Sequence, residues 1–392
     1  MPTVNIIGVG YIGTVISCYL TEKEYQINGI DKNPDVLNKD SWFRRFSDIE
    51  SNLKKANLDL VTTSTSYKDI DGDSVSIICV DTPTNENGEL YLSNLKDSIE
   101  SLSKEVNNGH TIIVRSTILP GTSEEVIIPL IEERSGMKVG EDIYYGYAPE
   151  FVRGGSGIED IKNPSKQVIA GDKEAAETFQ NLFPYEETFE TDLRTAEGLK
   201  YFDNVFTGLK VSLANEVGRA GESLNFDAKK VMEILVSDTK LNISEEYLKP
   251  GNSFGGPCLK KDISALNNKI SSKAELPIVS SIIESNKTHT SWIISQITSK
   301  KDVEVVGLVG ATYKEDFNSL EQSPYLKVKK ELEEKGYQTE TYSPILKDSI
   351  DSIPREELLE TDLIVVFNSV SGLEEIKEEF DGSIIDLSNF DI

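Results

Sequence analysis

Residues 251–262 read Gly-Asn-Ser-Phe-Gly-Gly-Pro-Cys-Leu-Lys-Lys-Asp, and the one thiol in this stretch, Cys258, follows directly on a Gly-Gly-Pro bend. Gly255 and Gly256 let the backbone come close to a ligand, and Lys260 and Lys261 favour thiolate over thiol. That is the setting of a nucleophile. If the chain turns helical here, Asp262 lies one turn beyond Cys258 and would orient a lysine or a water. A tight turn around a buried structural cysteine is built from the same residue types, so the pattern alone leaves both readings standing.

A second constellation opens the chain. An apolar run of strand length, 4–7, leads into Gly8-Val-Gly10-Tyr11-Ile12-Gly13, then into a helical run, 14–20, and a second apolar run, 27–30, that ends in Asp31. This is the dinucleotide-binding fingerprint in context: glycines for the turn, a helix N-terminus for the pyrophosphate, and an acid for the adenosine ribose hydroxyls. An acid there repels a ribose phosphate, so NAD is expected rather than NADP, a preference that the neighbouring Lys32 weakens. The alternative is a cluster of packing glycines in another strand-to-helix unit.

Further strands are expected at 58–62, 75–80, 111–115 and 144–148, with helices at 92–106 and 123–133. Alternation of this kind predicts an α/β fold with a doubly wound parallel sheet, whose ligands lie beyond the carboxyl ends of the strands. Three turns should line that edge: Asp81-Thr82-Pro83-Thr84, Ser116-Thr117, and Pro149-Glu150-Phe151-Val152-Arg153. Taken singly, each also fits ordinary turn chemistry. From 191 to 225 the pattern becomes one long helix, with Leu199, Phe202, Phe206, Leu209, Leu213 and Val217 at helical spacing. Lys200 and Asn204 share a face of it, either as solvated residues or as site groups. A helix of this kind is also a natural dimer surface. Helices are expected at 227–236, 261–272 and 277–299. A second Rossmann-like α/β domain follows, with strands at 303–309, 338–342, 363–368 and 384–387 and a helix at 324–335. The chain thus divides into a cofactor domain (1–190), a central helical region (191–300) and a second nucleotide-binding domain (301–392).

The 392 residues suffice for two or three domains, and the net charge of −27, from 67 acidic and 40 basic side chains, argues against nucleic-acid or anionic-membrane partners. Three scattered cysteines, Cys18, Cys79 and Cys258, make no disulfide framework, and with only His110 and His289 no metal-ligand spacing appears. Cys18 and Cys79 are expected in the core. There is no signal-peptide pattern and no apolar run long enough to span a bilayer, so a cytoplasmic location is expected.

Seven blocks in order then carry a resemblance over nearly the whole chain: 8–13, Arg-Ser-Thr-x-x-Pro-Gly at 115–121, Pro-Glu-Phe-x-Arg at 149–153, Ala-Glu-x-x-Lys-x-x-x-Asn at 196–204, Asn215-Glu216, Phe-Gly-Gly-Pro-Cys-x-x-Lys-Asp at 254–262, and Tyr313-Lys314. The sequence resembles the UDP-glucose/GDP-mannose dehydrogenases. The resemblance implies oxidation of a nucleotide-sugar CH2OH to a carboxylate with two NAD and one water, in a homodimer made by the central helices. UDP-glucose is the expected substrate, with GDP-mannose or a UDP-N-acetylhexosamine as sister readings. A divergent nucleotide-sugar-binding protein with little turnover, or an ordinary two-electron dehydrogenase, are the rivals. By matched position, Cys258 is the nucleophile, Lys200 and Asn204 stabilise or place the reacting oxygen, and Asp262, Thr117 and Glu150 hold water or relay protons. Gly8, Gly10, Tyr11, Ile12, Gly13, Asp31, Thr82 and Thr117 face NAD, while Phe151, Arg153, Lys200, Asn204, Tyr247, Gly255 and Lys314 face the substrate. The chain departs from the family pattern at Gly154, where a second glutamate is usual, at Lys260 for proline, at Ser319 for an acid or amide, and at Glu321 for arginine.

Overall fold

A strand covered by helices on both faces must be apolar on both, and β1 (Thr3–Ile7) meets that condition by burying four of its five residues. Its alternation splits two cores. Ile6 packs with Val15, Ile16 and Leu20 on one side of the sheet, and Ile7 packs with Leu95, Ile99 and Tyr147 on the other. The computed structural model describes residues 2–38, 56–72, 74–238, 250–270, 277–313, 319–346 and 350–390. These form two compact units, 1–202 and 203–392.

In the first unit β1 is followed by α1 (Tyr11–Glu22), β2 (Gln26–Ile30), β3 (Val61–Ser64), β4 (Val75–Ile78), α2 (Ser93–Leu102), β5 (Thr111–Val114), α3 (Ile128–Ser135), β6 (Tyr144–Tyr147), α4 (Gly157–Lys162), β7 (Gln167–Gly171), α5 (Lys173–Leu182) and β8 (Thr188–Thr191). The eight strands lie in the order β3-β2-β1-β4-β5-β6-β7-β8, parallel except for the antiparallel β6–β7 pair. Strand order reverses between β1 and β4, the point at which such sheets take their ligands. Two expectations shift. The strand expected at 58–62 begins only at Val61, because Asn57 accepts a hydrogen bond from the Asp59 amide at 3.2 Å and winds Leu58–Leu60 into a 3-10 turn. β7 and β8 were not expected, and β8, at the edge of the sheet with two exposed and two half-buried residues, lacks the apolar run that would mark it.

α6 (Leu193–Leu224) leads into the second unit, followed by α7 (Ala228–Val236), α8 (Pro257–Ile270), α9 (Pro277–Ser299), β9 (Val305–Val309), α10 (Pro324–Glu334), β10 (Gln338–Tyr342), α11 (Arg355–Leu358), β11 (Leu363–Val366), α12 (Leu373–Glu379) and β12 (Ser383–Asp386). Its sheet is parallel, in the order β10-β9-β11-β12. The chain is therefore the two-sheet α/β protein with a central helical region that its sequence predicts. α8 starts four residues before the expected position, at Pro257. Proline suits the first helical position, where its missing N–H costs no hydrogen bond. Among the described residues no helix is long and apolar enough to cross a membrane.

Candidate active site

Each glycine of the first motif has a separate job. Gly8 turns the chain out of β1 with φ +90°, and a Cβ there would stand 2.8 Å from the Val80 amide nitrogen. At Gly13 a Cβ would meet the Gly8 carbonyl oxygen at 2.0 Å, so only glycine lets α1 pack this close. At Gly10 nothing lies within 4 Å of an added Cβ, which leaves open space at the start of α1. Asp31, just past β2, accepts the Val9 amide at 2.9 Å and the Asn33 amide at 2.9 Å, fixing its carboxylate beside the glycine turn. Open approach, helix N-terminus and acid together fit NAD. Ile12 is half-buried and packs against the core. The Tyr11 hydroxyl accepts the Gly155 and Gly157 amides at 3.2 and 3.0 Å and donates to the Arg153 carbonyl at 3.1 Å. It ties the glycine turn to residues 153–157. Beyond β4 and β5, buried Thr82 donates to the Thr117 carbonyl at 2.7 Å and Ser116 donates to the Val80 carbonyl at 2.6 Å, lacing the two turns together.

The turn after β6 is held more strongly. Glu150 is 8% exposed; its Oε1 accepts the amides of Phe151 and Val152 at 2.8 and 2.9 Å, and its Oε2 forms a buried ion pair with Arg115. The Phe151 ring carries the Lys166 ammonium 4.4 Å and the Lys200 ammonium 5.5 Å from its centroid. Arg153 forms a fork with Asp160, at 3.1 and 2.8 Å. The first turns of α6, which bring in Lys200, are anchored by fully buried Glu197, which accepts the Gly121 and Ser123 amides at 2.5 and 2.8 Å. Burial pushes the Glu197 carboxyl up, and the hydrogen bonds from Ser123 and Gly121 work against that rise.

In the second unit, Cys258 is exposed in the first turn of α8, near the amides that the start of a helix leaves without intrahelical partners. Gly256 precedes it with φ +78°, and a Cβ there would come within 2.6 Å of the Tyr313 ring. Burial, and after it the charges of Cys258 and Glu321, push the Tyr313 phenol above its ordinary range and keep it protonated. Asp262 lies one turn past Cys258, 1% exposed. Its Oδ2 accepts a hydrogen bond from Asn204, while Oδ1 has no hydrogen-bond partner among the described residues and stands 3.4 Å from the Lys261 ammonium. Thiol, ammonium and carboxylate thus follow one another within little more than one turn of α8. Asn204 itself lies one turn after Lys200 on α6. Gly255 packs under Tyr313 and Pro324, where a Cβ would meet the Gln322 carbonyl oxygen at 2.6 Å. Tyr247 and Lys314 lie outside the described residues.

The segment that presents the thiol is laced down by Asn215, which belongs to one of the matched blocks, and by Asn286 and His289, which the sequence does not mark as site residues. Asn286 accepts the Phe254 amide at 2.8 Å and donates to the Phe254 carbonyl at 2.9 Å, and Asn215 does the same for the Gly251 amide and the Asn252 carbonyl at 2.9 and 3.1 Å. His289 donates from Nε2 to the Gly251 carbonyl at 2.7 Å and takes Arg219 on Nδ1 at 2.7 Å. The only sequence signal of Asn286 and His289 is that they recur three apart along the helix expected at 277–299. Burial lowers the His289 pKa to about 4, with Arg219 adding to the fall and the Gly251 hydrogen bond opposing it. The depressed value means that the unfolded chain takes up the proton first, so this stability is complete above pH 6.5 and is lost as pH falls toward 4. About 3 kcal/mol is at stake, from a shift of roughly 2.5 pH units. Urea unfolding across this window should show that slope, and His289→Gln should flatten it; equal slopes in the two proteins would refute the assignment.

The other two thiols differ from Cys258. Cys18 is 4% exposed in the core. Cys79 packs partly buried just past β4, and burial pushes its thiol up to about 12.

Residues 2–186 match the NAD-binding domain of the UDP-glucose/GDP-mannose dehydrogenase family, and residues 194–288 match its central domain. GDP-mannose 6-dehydrogenase of Pseudomonas aeruginosa is 34% identical over 347 residues, covering 86% of this chain and 79% of that protein. UDP-glucose 6-dehydrogenase of Rickettsia bellii is 28% identical over 384 residues, covering 92% and 85%. Among solved structures, a GDP-mannose dehydrogenase from Pseudomonas aeruginosa matches at TM-score 0.58 and 29% identity, over 98% of this chain and 96% of that one. The fold alone is matched by a UDP-glucose dehydrogenase from Pyrobaculum islandicum, at TM-score 0.85 and 24% identity over 95% and 91%. With both domain matches in sequence order and a relative 34% identical over 86% of its length, the chain belongs to the UDP-glucose/GDP-mannose dehydrogenase family, whose members depend on NAD.

Proposed function

We propose that this protein oxidises the primary carbinol of a nucleotide sugar to a carboxylate, in two two-electron steps, through a covalent bond to Cys258. The observation that carries this reading is an exposed thiol in the first turn of α8, with a buried carboxylate one turn on. NAD, when bound, accepts the hydride of each oxidation. The first oxidation converts the CH2OH to an aldehyde with loss of a proton. The Cys258 thiolate adds to the aldehyde carbon and the carbonyl oxygen becomes the thiohemiacetal oxygen, which Lys200 and Asn204 stabilise as charge develops on it. Loss of the second hydride leaves a thioester. Water then adds to the acyl carbon and expels the thiolate, giving the acid and regenerating Cys258. Asp262, whose Oδ1 has no hydrogen-bond partner among the described residues, takes the role of holding that water and its proton, with Thr117 beside the cofactor. Phe151, Arg153, Gly255, Tyr247 and Lys314 are the substrate contacts in this reading, and Glu150 a fixed anion among them.

Of the two sugars named among the relatives, GDP-mannose takes precedence over the UDP-glucose expected from the sequence, because the GDP-mannose relative is 34% identical and the UDP-glucose relative 28%. Purified protein with NAD should form NADH with one of GDP-mannose, UDP-glucose or a UDP-N-acetylhexosamine. Binding of these sugars by calorimetry without NADH would instead show a binding protein that does not turn over. The reduced cysteines and NAD chemistry suit the cytoplasm. Phe202, Phe206, Leu209 and Leu213 on α6 are 37–49% exposed, a stripe that suits a second copy of this chain. Leu213→Glu should shift the sedimenting species from dimer to monomer; a wild-type monomer would refute this surface.

A further inference from the structure

Arg115 follows β5 directly and Glu150 comes three residues after β6, so two neighbouring parallel strands deliver both side chains to one edge of the sheet. The Arg115 guanidinium, in a residue 8% exposed, also lies 5.4 Å from the Phe179 ring centroid and 5.2 Å from that of Phe183. Glu150 takes two amides on Oε1 and pairs through Oε2 with the Arg115 guanidinium, so the carboxylate is held from both sides. Those amides belong to Phe151 and Val152, so the carboxylate fixes the backbone that aims the Phe151 ring. Two ammoniums lie on that ring, Lys166 at 4.4 Å and Lys200 at 5.5 Å from its centroid, and Lys200 is the one on α6 that the proposed reaction uses. An aromatic face attracts an ammonium without using up an acceptor, which leaves the N–H groups to donate to a developing oxyanion.

Resting on the reaction proposed above, we propose that Arg115 is a positioning residue: by clamping Glu150 between strand ends it holds Phe151 as the seat of the Lys200 ammonium. The chain of contacts runs from Phe179 and Phe183 through Arg115, Glu150 and Phe151 to Lys200, entirely within the first unit. A cation misplaced by about an ångström forfeits on the order of 100-fold in rate, so breaking the first link should show in kcat.

The test compares Arg115→Met, Arg115→Lys, Glu150→Gln and Phe151→Leu in the full-length protein, reading kcat, KM for NAD, and hydrogen exchange at the Phe151 and Val152 amides. Arg115→Met should lower kcat by about 10- to 100-fold with KM for NAD within about twofold. The two amides should exchange at least about 10-fold faster while those of β5 and β6 keep their protection. Arg115→Lys should recover most of both losses. Phe151→Leu should lose kcat while its amide stays protected. If Arg115→Met does not fold, Glu150→Gln, which keeps an acceptor and removes the charge, carries the same expectations. Unchanged exchange overturns the proposal, and so does faster exchange with unchanged kcat. If the wild-type protein oxidises no sugar of the panel, the reaction itself is misread, and exchange at residues 151 and 152 still decides whether Arg115 holds this turn.

Discussion

Replacing Cys258 by serine is expected to lower steady-state NADH formation by about 1,000-fold or more, while nucleotide-sugar binding stays within about twofold. Serine is nearly isosteric, but a hydroxyl is a far weaker acid and a poorer nucleophile than a thiol. The loss should fall on the covalent stage, so the variant should still manage the first oxidation and stall with the sugar at the aldehyde level. A two-electron dehydrogenase would turn over almost normally as Cys258→Ser. No other thiol should substitute: Cys18 is 4% exposed, and Cys79, partly buried with its thiol pushed up to about 12, holds its proton. Iodoacetamide at neutral pH should therefore label wild-type protein at Cys258, and the serine variant should resist.

Asp262→Asn should cost about 100- to 10,000-fold in kcat with little change in KM, the range for removing a positioned acid–base group. The change keeps the shape of the side chain but removes the charge facing Lys261, and an amide cannot take a proton from water. Because Asp262 is 1% exposed, the fold must be checked, and an unfolding midpoint near that of the wild type would assign the loss to chemistry. The step affected should be hydrolysis, so the variant should accumulate acylated Cys258. An Asp262→Asn protein that works at the wild-type rate would remove this carboxylate from the mechanism.

Some of this was legible in the sequence for a physical reason. The glycine turn and Asp31 belong to one strand–helix–strand unit, so their spacing along the chain nearly fixes their placement in space. Cys258, Lys261 and Asp262 fall within little more than one turn, and local spacing again sufficed, although the helix begins at Pro257 rather than at 261 as expected. The hidden parts depend on chain segments far apart. Asn286 and His289 meet the 251–254 segment more than thirty residues away. Arg115 meets Glu150 only because β5 and β6 are neighbours, and nothing in an Arg-Ser-Thr or Pro-Glu-Phe block announces that pairing. Glu150, which by resemblance reads as a base or water-holding group, also forms a buried ion pair with Arg115, a contact its own block does not announce. β8 escaped notice because an edge strand of Thr-Phe-Glu-Thr buries too little to leave a pattern.

The central claim is the bond between Cys258 and the sugar carbon. Asp262→Asn protein, mixed with NAD and the nucleotide sugar that the wild type oxidises and then quenched in acid during turnover, can be digested and weighed by mass spectrometry. The account predicts a Cys258 peptide heavier by the uronyl group of the sugar nucleotide, together with two NADH for each molecule of acid the wild type releases. An unmodified Cys258 peptide, with one NADH per product, would contradict it.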